Sequence, residues 1–147
     1  MFPEQLYRKS NRDQLVTGLN PFFRQNAAFA AAQASLQDGV IIPNDSALLI
    51  QLVSCIAVAG AAQTLNRLQF MIRPDINHTI FIGGWPDDGV VGPAAGTHII
   101  NLRLDGLMIP PNWSILALGT FNAGVAVNSI QMSVAGLLIP RANISAL

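Results

Sequence analysis

The chain contains an internal repeat. The hexapeptide Asp-Gly-Val-Ile-Ile-Pro at residues 38–43 returns at residues 105–110 as Asp-Gly-Leu-Met-Ile-Pro. In both copies a turn-forming pair precedes three apolar residues and a proline, and a polar break then leads into a long apolar run. A second similarity, at an offset three residues shorter, matches Ala-Gly-Ala-Ala at 59–62 with Ala-Gly-Val-Ala at 123–126. The repeat predicts one β domain built from two similar sets of strands.

Most of the sequence after residue 37 alternates between apolar and polar side chains with a period of two. Leu68, Phe70 and Ile72 alternate with Gln69 and Met71, and the same pattern recurs in residues 100–105, 114–121 and 129–134. Gly and Pro separate these runs at short intervals. About eight strands result, which is typical of an antiparallel sandwich or barrel. We assign this β domain to residues 37–147.

Residues 1–36 differ in composition from the rest, and we interpret them as an N-terminal arm. The alanine-rich block at residues 25–36 predicts one short helix. Phe22 and Phe23 precede it with no evident partner inside the domain. The helix either packs on its own sandwich or belongs to an arm that docks on a neighbouring subunit. For the second alternative the contact residues are Phe22, Phe23, Arg24 and Phe29.

The chain is unusually poor in charge. Charged residues make up 11% of it, against a typical share of about 25%. Large apolar surface usually marks contact with other chains, so we expect self-assembly as a trimer or a larger multimer; a well-buried sandwich with neutral polar loops is the alternative. The formal net charge of zero provides no electrostatic basis for binding nucleic acid.

The most apolar stretch, residues 47–62, raises the alternative of a membrane helix. It is shorter than the roughly 20 residues that a span requires, and it is rich in the Val, Ile and Leu of strands. Its repeat partner at 114–126 is too polar to span. A strand is therefore favoured, with no membrane partner. The first residues also lack the basic and apolar segments of a secretory signal peptide.

No constellation of residues predicts catalysis. His78 and His98 have no companions at metal-ligand spacing, and the single cysteine, Cys55, lies in an apolar run as a buried hydrophobe would. No nucleophile elbow or phosphate-binding loop occurs. We therefore expect neither enzymatic activity nor a cofactor.

Two tryptophans in turn-rich segments leave a binding module open as an alternative. Trp85 begins a loop rich in Gly and Pro that also contains Asp87 and Asp88, and Trp113 lies in a second turn. An exposed Trp can stack on a sugar, although a Trp more often anchors a loop or fills a subunit contact. Two adjacent carboxylates fall short of the six or more oxygens that calcium takes.

The C-terminal part of the chain resembles small structural proteins of tailed-bacteriophage virions. The resemblance is carried by Pro-Pro-Asn-Trp at residues 110–113 and Gly-Leu-Leu-Ile-Pro-Arg at residues 136–141, and it covers roughly residues 38–141. It implies a jelly-roll fold and a structural role as a head decoration or cement protein, with the major capsid protein and copies of itself as partners. The location would be the virion, after synthesis in the host cytoplasm. A tail- or fibre-associated module that recognises carbohydrate or a host receptor is the alternative.

Overall fold

The computed structural model describes residues 20–86 and 94–141, and within them it contains strands and no α-helix. The elements are β1 (Asn20–Gln25), β2 (Phe29–Ala31), β3 (Ser35–Ile41), β4 (Ser46–Val58), β5 (Thr64–Asp75), β6 (His78–Trp85), β7 (Ala94–Ala95), β8 (Thr97–Ile109), β9 (Ser114–Phe121) and β10 (Asn128–Pro140). They form two antiparallel sheets around one apolar core. The predicted all-β antiparallel sandwich is thus confirmed.

The two sheets have matching strand orders. Sheet A runs β1-β10-β4-β8, and the short β2 also pairs with β10. Sheet B runs β3-β9-β5-β6, and the short β7 also pairs with β5. Side chains that alternate toward the space between the sheets fill the core, with Phe70 of β5 and Met132 of β10 among those that are fully buried. No helix in the described ranges is long and apolar enough to cross a membrane.

The strand pairing is nested. Apart from the short β2 and β7, the described residues form eight longer strands, and the first pairs with the last, β1 with β10. The second pairs with the seventh, β3 with β9, and the third with the sixth, β4 with β8. The two middle strands, β5 and β6, pair with each other. The pairing is therefore that of one long hairpin, and each sheet contains strands from both of its arms.

The two copies of the sequence repeat occupy matching places in opposite sheets. In sheet B, β3, β9 and β5 are neighbours; in sheet A, β8, β4 and β10 stand in the same order. Ile42 and Ile109, which correspond in the repeat, are 0% and 1% exposed. Ile42 is also hydrogen-bonded to the turn that follows Ile109, since Ile42 N donates to Trp113 O at 2.8 Å and Asn112 N donates to Ile42 O at 3.1 Å.

The predicted helix over residues 25–36 is wrong. Residues 20–25 and 29–31 instead form β1 and β2 along β10, and the predicted domain boundary at residue 36 falls inside β3. The ladder with β10 supplies the backbone partners that a helix would have supplied internally, and it also covers the edge of a central core strand. Helix propensity is a weak preference that such tertiary pairing overrides.

Hydrogen bonds fix the short segment between the end of β1 and the start of β2. Asn26 N donates to Met132 O at 3.0 Å, and the Gln131 side chain donates to Asn26 O at 2.9 Å. The carboxylate of Asp38, on β3 of the other sheet, accepts from Met132 N at 3.2 Å and from the Asn26 side chain at 2.9 Å. Between β1 and β2 the edge strand is interrupted and offers no acceptor to Met132 N. Asp38 accepts this hydrogen bond instead, and it thereby links the two sheets.

Candidate interaction surfaces

The predicted arm residues are divided between the core and the surface. Phe22 is partly buried and packs against the core of its own sandwich, which gives it an intramolecular contact that the sequence did not suggest. Phe23 is 69% exposed and Phe29 is 46% exposed. Arg24 is also exposed. Two of the three aromatic rings therefore remain available for a contact outside the domain.

The two tryptophans are not brought together. Trp85 pairs with Leu68 of β5, whereas Trp113 precedes Ser114, the residue paired with Arg73 near the other end of β5. At about 3.3 Å per residue, this register separates them by roughly 20 Å along the strand. The Trp85 ring lies 4.5 Å from the His98 ring, tilted by 48°, and Trp113 packs against the core. Asp87 and Asp88 lie outside the described residues.

A small cleft lies beside Trp85. Its volume is about 250 Å³, and it is lined by Arg67, Leu68, Gln69, Phe81, Gly84, Trp85 and Pro86. Gly84 lies so close to β5 that a side chain has no room there, because a Cβ would lie 2.3 Å from Leu68 O. Phe81 is 60% exposed, and no salt bridge joins Arg67 to any residue of the described ranges. The cleft offers an aromatic ring, a guanidinium and an amide to a small polar ligand.

A larger surface, which the sequence analysis missed, is the outer face of sheet A. Side chains that are paired across neighbouring strands share a face, so the register shows its composition row by row. The first row, from β1 to β8, holds Pro21, Leu137, Leu49 and Met108. The second row holds Phe23, Ala135, Leu52 and Arg103. Seven of these eight side chains are apolar.

Of the remaining rows of this face, the third is polar, and the fourth and fifth mix apolar with polar side chains. The third row holds Gln25, Ser133, Ser54 and Asn101. The fourth holds Gln131, Ile56 and Ile99, and the fifth holds Ala30, Ser129, Val58 and Thr97. Ile99 is 62% exposed. Across the five paired rows, all within the described residues, Arg103 is the only charged side chain, and the exposed Asp105, two residues further along β8, lies on the same face in the bulge between the first two rows.

Strand β4 shows why the sequence suggested a membrane helix. Its inward side chains, among them Leu48, Ile50 and Val53, are fully buried. Its outward side chains include Leu49, Leu52, Ile56 and Val58, which are partly exposed. A strand that is apolar on both faces is typical of a sheet covered on both sides, whereas an antiparallel sheet facing water alternates apolar with polar residues. Among residues 20–86 and 94–141, the sheet that packs against β4 lies on its inward side.

The loops at one end of the sandwich are fixed by two buried amides. Gln63 is 3% exposed, and its Nε2 donates to Asn128 Oδ1 at 2.9 Å and to Ala126 O at 3.0 Å. Its Oε1 accepts from the backbone N of Val125 at 3.0 Å. Asn128 is fully buried, and its Nδ2 donates to Gln33 O at 2.8 Å. The network holds in place a loop on which Val125 is 89% exposed.

The two histidines have structural partners. His78 Nδ1 lies 2.8 Å from both carboxylate oxygens of Asp75 in the β5–β6 turn, and this hydrogen bond holds the pKa of the Asp75 carboxyl below its usual value. His98 contacts Trp85 as described. In residues 20–86 and 94–141, no three His, Cys, Asp or Glu side chains come together as metal ligands would. Cys55 is fully buried, and burial raises the pKa of its thiol to about 12.

Comparison with known proteins gives remote likenesses only. No family model and no curated protein matches the chain. Among solved structures, it is similar to dimeric latent PorU from Porphyromonas gingivalis, with a TM-score of 0.33 and 10% identity over 82% of this chain and 13% of that one. It is also similar to a structure of infectious bursal disease virus, Gx strain, with a TM-score of 0.21 and 10% identity over 86% of this chain and 44% of that one. The chain thus spans less than half of either relative.

Proposed function

We propose that the protein is a structural subunit of a bacteriophage virion, a decoration or cement protein that stabilises the shell through contacts with its own copies and with the major capsid protein. The observation that carries this proposal is the outer face of sheet A, which has one charged side chain in five rows. Exposed apolar faces of this extent mark protein contacts. A role in assembly needs no catalytic group.

We also propose that the sandwich is a jelly roll. A jelly roll is an eight-stranded double sheet that contains two Greek keys, and it is common in viral capsid domains. The nested pairing, from β1 with β10 on the outside to β5 with β6 in the middle, supports this assignment. The matching strand orders of the two sheets support it as well, because each sheet draws strands from both halves of the chain.

The proposal is tested on particles. Virions would be purified through a density gradient and their proteins quantified by mass spectrometry. We expect this chain in the particle peak at many copies per virion, and antibody labelling should decorate the shell. A chain that stays in the soluble fraction, or that is present at only a few copies, would argue against a shell subunit. Labelling confined to the tail would favour the alternative role described next.

The second candidate function is a tail- or fibre-associated module that binds carbohydrate. The observation in its favour is the cleft beside Trp85, where the exposed Phe81 ring stands near Arg67 and Gln69. An aromatic ring can stack on a sugar while a guanidinium and an amide bind its hydroxyl or carboxylate oxygens. A glycan array probed with the wild-type chain and with Arg67→Ala tests it. Binding to acidic glycans that Arg67→Ala loses would support this role.

A further inference from the structure

We propose that the outer face of sheet A packs against the same face of a second copy of this chain, about a twofold axis that runs along the strands between β10 and β4. The inference rests on the proposed function, because it names one contact through which the subunit would assemble. A twofold contact of this kind is compatible with a larger multimer, in which other surfaces supply the remaining contacts.

The size of the face is suited to a stable dimer. Strands β4, β8 and β10 each contain 13 residues. With the six residues of β1, and at about 3.3 Å per residue and about 4.8 Å between strands, the four strands cover roughly 700 Å². Stable complexes of standard size bury about 800 Å² on each partner. One copy of the face therefore provides close to the area that a second copy would need.

The chemistry of the rows fits a second copy placed on this axis. A rotation of 180° about this axis places each row of one copy over the same row of the other. Within a row, β1 then faces β8 of the partner subunit, and β10 faces β4. In the second row, Arg103 of one copy then lies over Phe23 of the partner subunit, and this contact occurs twice. A guanidinium over an aromatic face is attractive, and the attraction grows when the pair is removed from water.

The middle of the face also matches itself. In the second row, Leu52 meets the partner's Ala135, so a large side chain faces a small one. In the third row, Gln25 of one copy lies over Asn101 of the partner subunit, and two amides can exchange hydrogen bonds. Arg103 and Asp105 both belong to β8, so the two copies of each charge remain on opposite rims and like charges stay apart.

Purified full-length chain would be tested by light scattering and analytical ultracentrifugation. We expect a dimer, or a multimer built from dimers, at tens of micromolar. Leu52→Arg should weaken the association at least about a hundredfold, because it places two charges at the centre of the interface. Gln37→Arg, on the outer face of sheet B, is the matched control and should leave the association unchanged. Circular dichroism would confirm that both variants are folded.

The orientation of the axis is tested by a double-mutant cycle on the dissociation constant. Phe23→Ala and Arg103→Ala should each weaken the dimer several-fold. The dissociation constant of the double variant should be only slightly larger than that of the weaker single variant, because the two groups share one contact. Fully multiplicative effects would overturn the proposed axis. As a second readout, a short bismaleimide should link two copies of Ser54→Cys and should not link Gln37→Cys, since the native Cys55 is buried.

Several outcomes would overturn the proposal. A wild-type chain that is monomeric at these concentrations rules out the second copy. A monomer that becomes dimeric when residues 1–19 are deleted would show that the chain's own N-terminal segment covers the face. Association only after a second virion protein is added would assign the face to that protein. Failure of the proposed function is seen separately, because a chain that forms the dimer and is absent from virions keeps this inference and loses the shell role.

Discussion

The carboxylate of Asp38 on β3 accepts a hydrogen bond from the backbone N of Met132 on β10, across the two sheets, at 3.2 Å. Its other oxygen accepts from Asn26 and from Gly39 N, each at 2.9 Å. Asp105 is the corresponding residue in the second copy of the repeat, and it is exposed on β8. Two aspartates at matching positions of the repeat therefore have different surroundings.

Asp38→Asn should destabilise the fold while Asp105→Asn leaves it unchanged. The amide NH₂ cannot accept, so either Met132 N or the Asn26 and Gly39 donors lose their partner. A hydrogen bond to a charged group contributes roughly 1.5–3 kcal/mol, and we expect a loss of about 2 kcal/mol in the free energy of unfolding. Urea unfolding followed by Trp fluorescence measures it. Equal stabilities for the two variants would contradict the bridging role of Asp38.

Gln63→Leu should destabilise the fold more strongly. The change leaves Asn128 Oδ1 with one donor fewer and removes the acceptor that Val125 N and Ala126 N share, at a site whose hydrogen bonds are buried or partly buried. Leaving a buried polar group without a partner costs about 1–3 kcal/mol, and at least two are affected, so we expect a loss of about 3 kcal/mol. Thermal unfolding followed by circular dichroism would test this.

Gln37→Leu is the control for the Gln63 variant, because Gln37 is an exposed amide on β3 and lies outside the proposed dimer face. We expect its free energy of unfolding to stay within about 0.5 kcal/mol of wild type. Hydrogen exchange adds a local readout, since the Val125 and Ala126 amides should lose protection in Gln63→Leu. Unchanged protection there would show that the loop does not depend on the buried amides.

The stability of the protein should fall in alkaline solution because of Cys55. Burial, assisted by the nearby Asp38 carboxylate, raises the pKa of this thiol from 9.0 to about 12. A folded-state pKa above the unfolded value means that the folded protein holds the proton more tightly. The contribution is complete below pH 9.0 and is lost as the pH rises toward about 12.

Two measurements check the Cys55 prediction. The urea midpoint of the wild type should fall over this alkaline range more steeply than that of Cys55→Val, which has no thiol to titrate. In the native protein at neutral pH, a thiol reagent should react with Cys55 only as fast as the protein unfolds. Rapid labelling without unfolding would contradict the buried environment.

Ile42→Ala and Ile109→Ala should have similar, large effects. The two side chains correspond in the repeat and are 0% and 1% exposed, so each truncation leaves a cavity in the core. Ile→Ala changes in cores cost about 2–5 kcal/mol. Ile41, the neighbour of Ile42, is 66% exposed on sheet B and is the matched control, for which Ile41→Ala should cost less than about 1 kcal/mol. Chemical unfolding of the three variants compares the two halves of the repeat.

The sequence predicted the strands well where both the alternation and the turns were local. Leu68, Phe70 and Ile72 do face the core, and the Asp-Gly repeat does mark matching strands of the two sheets. The helix over 25–36 failed because the feature that decides its structure, the edge of β10, lies more than one hundred residues away in sequence. The helix propensity of an alanine-rich segment follows from its own residues. Its pairing with a distant strand does not, because that depends on residues elsewhere in the sequence.

The outer face of sheet A could not be predicted from the sequence, for a related reason. Leu49, Leu52, Ile56 and Val58 belong to one apolar run with Leu48, Ile50 and Val53, and composition does not separate the side chains that enter the core from those that leave it. The bulge near Gln51 shifts the alternation, so a strict period of two would misassign half of the strand. The rows of sheet A became visible only through the pairing register.

The nesting of the strands also constrains how the polypeptide folds during its synthesis. β1, which begins at Asn20, pairs only with β10, which ends at Pro140. Translation proceeds at roughly 5–20 residues per second, so the ribosome makes the first strand many seconds before its partner exists. β4 can pair with β8 once residue 109 has emerged, but its other neighbour, β10, comes last, so sheet A closes only after residue 140 has emerged. Such long-range pairing makes slow folding the expectation, with a nascent chain that depends on chaperones to stay soluble.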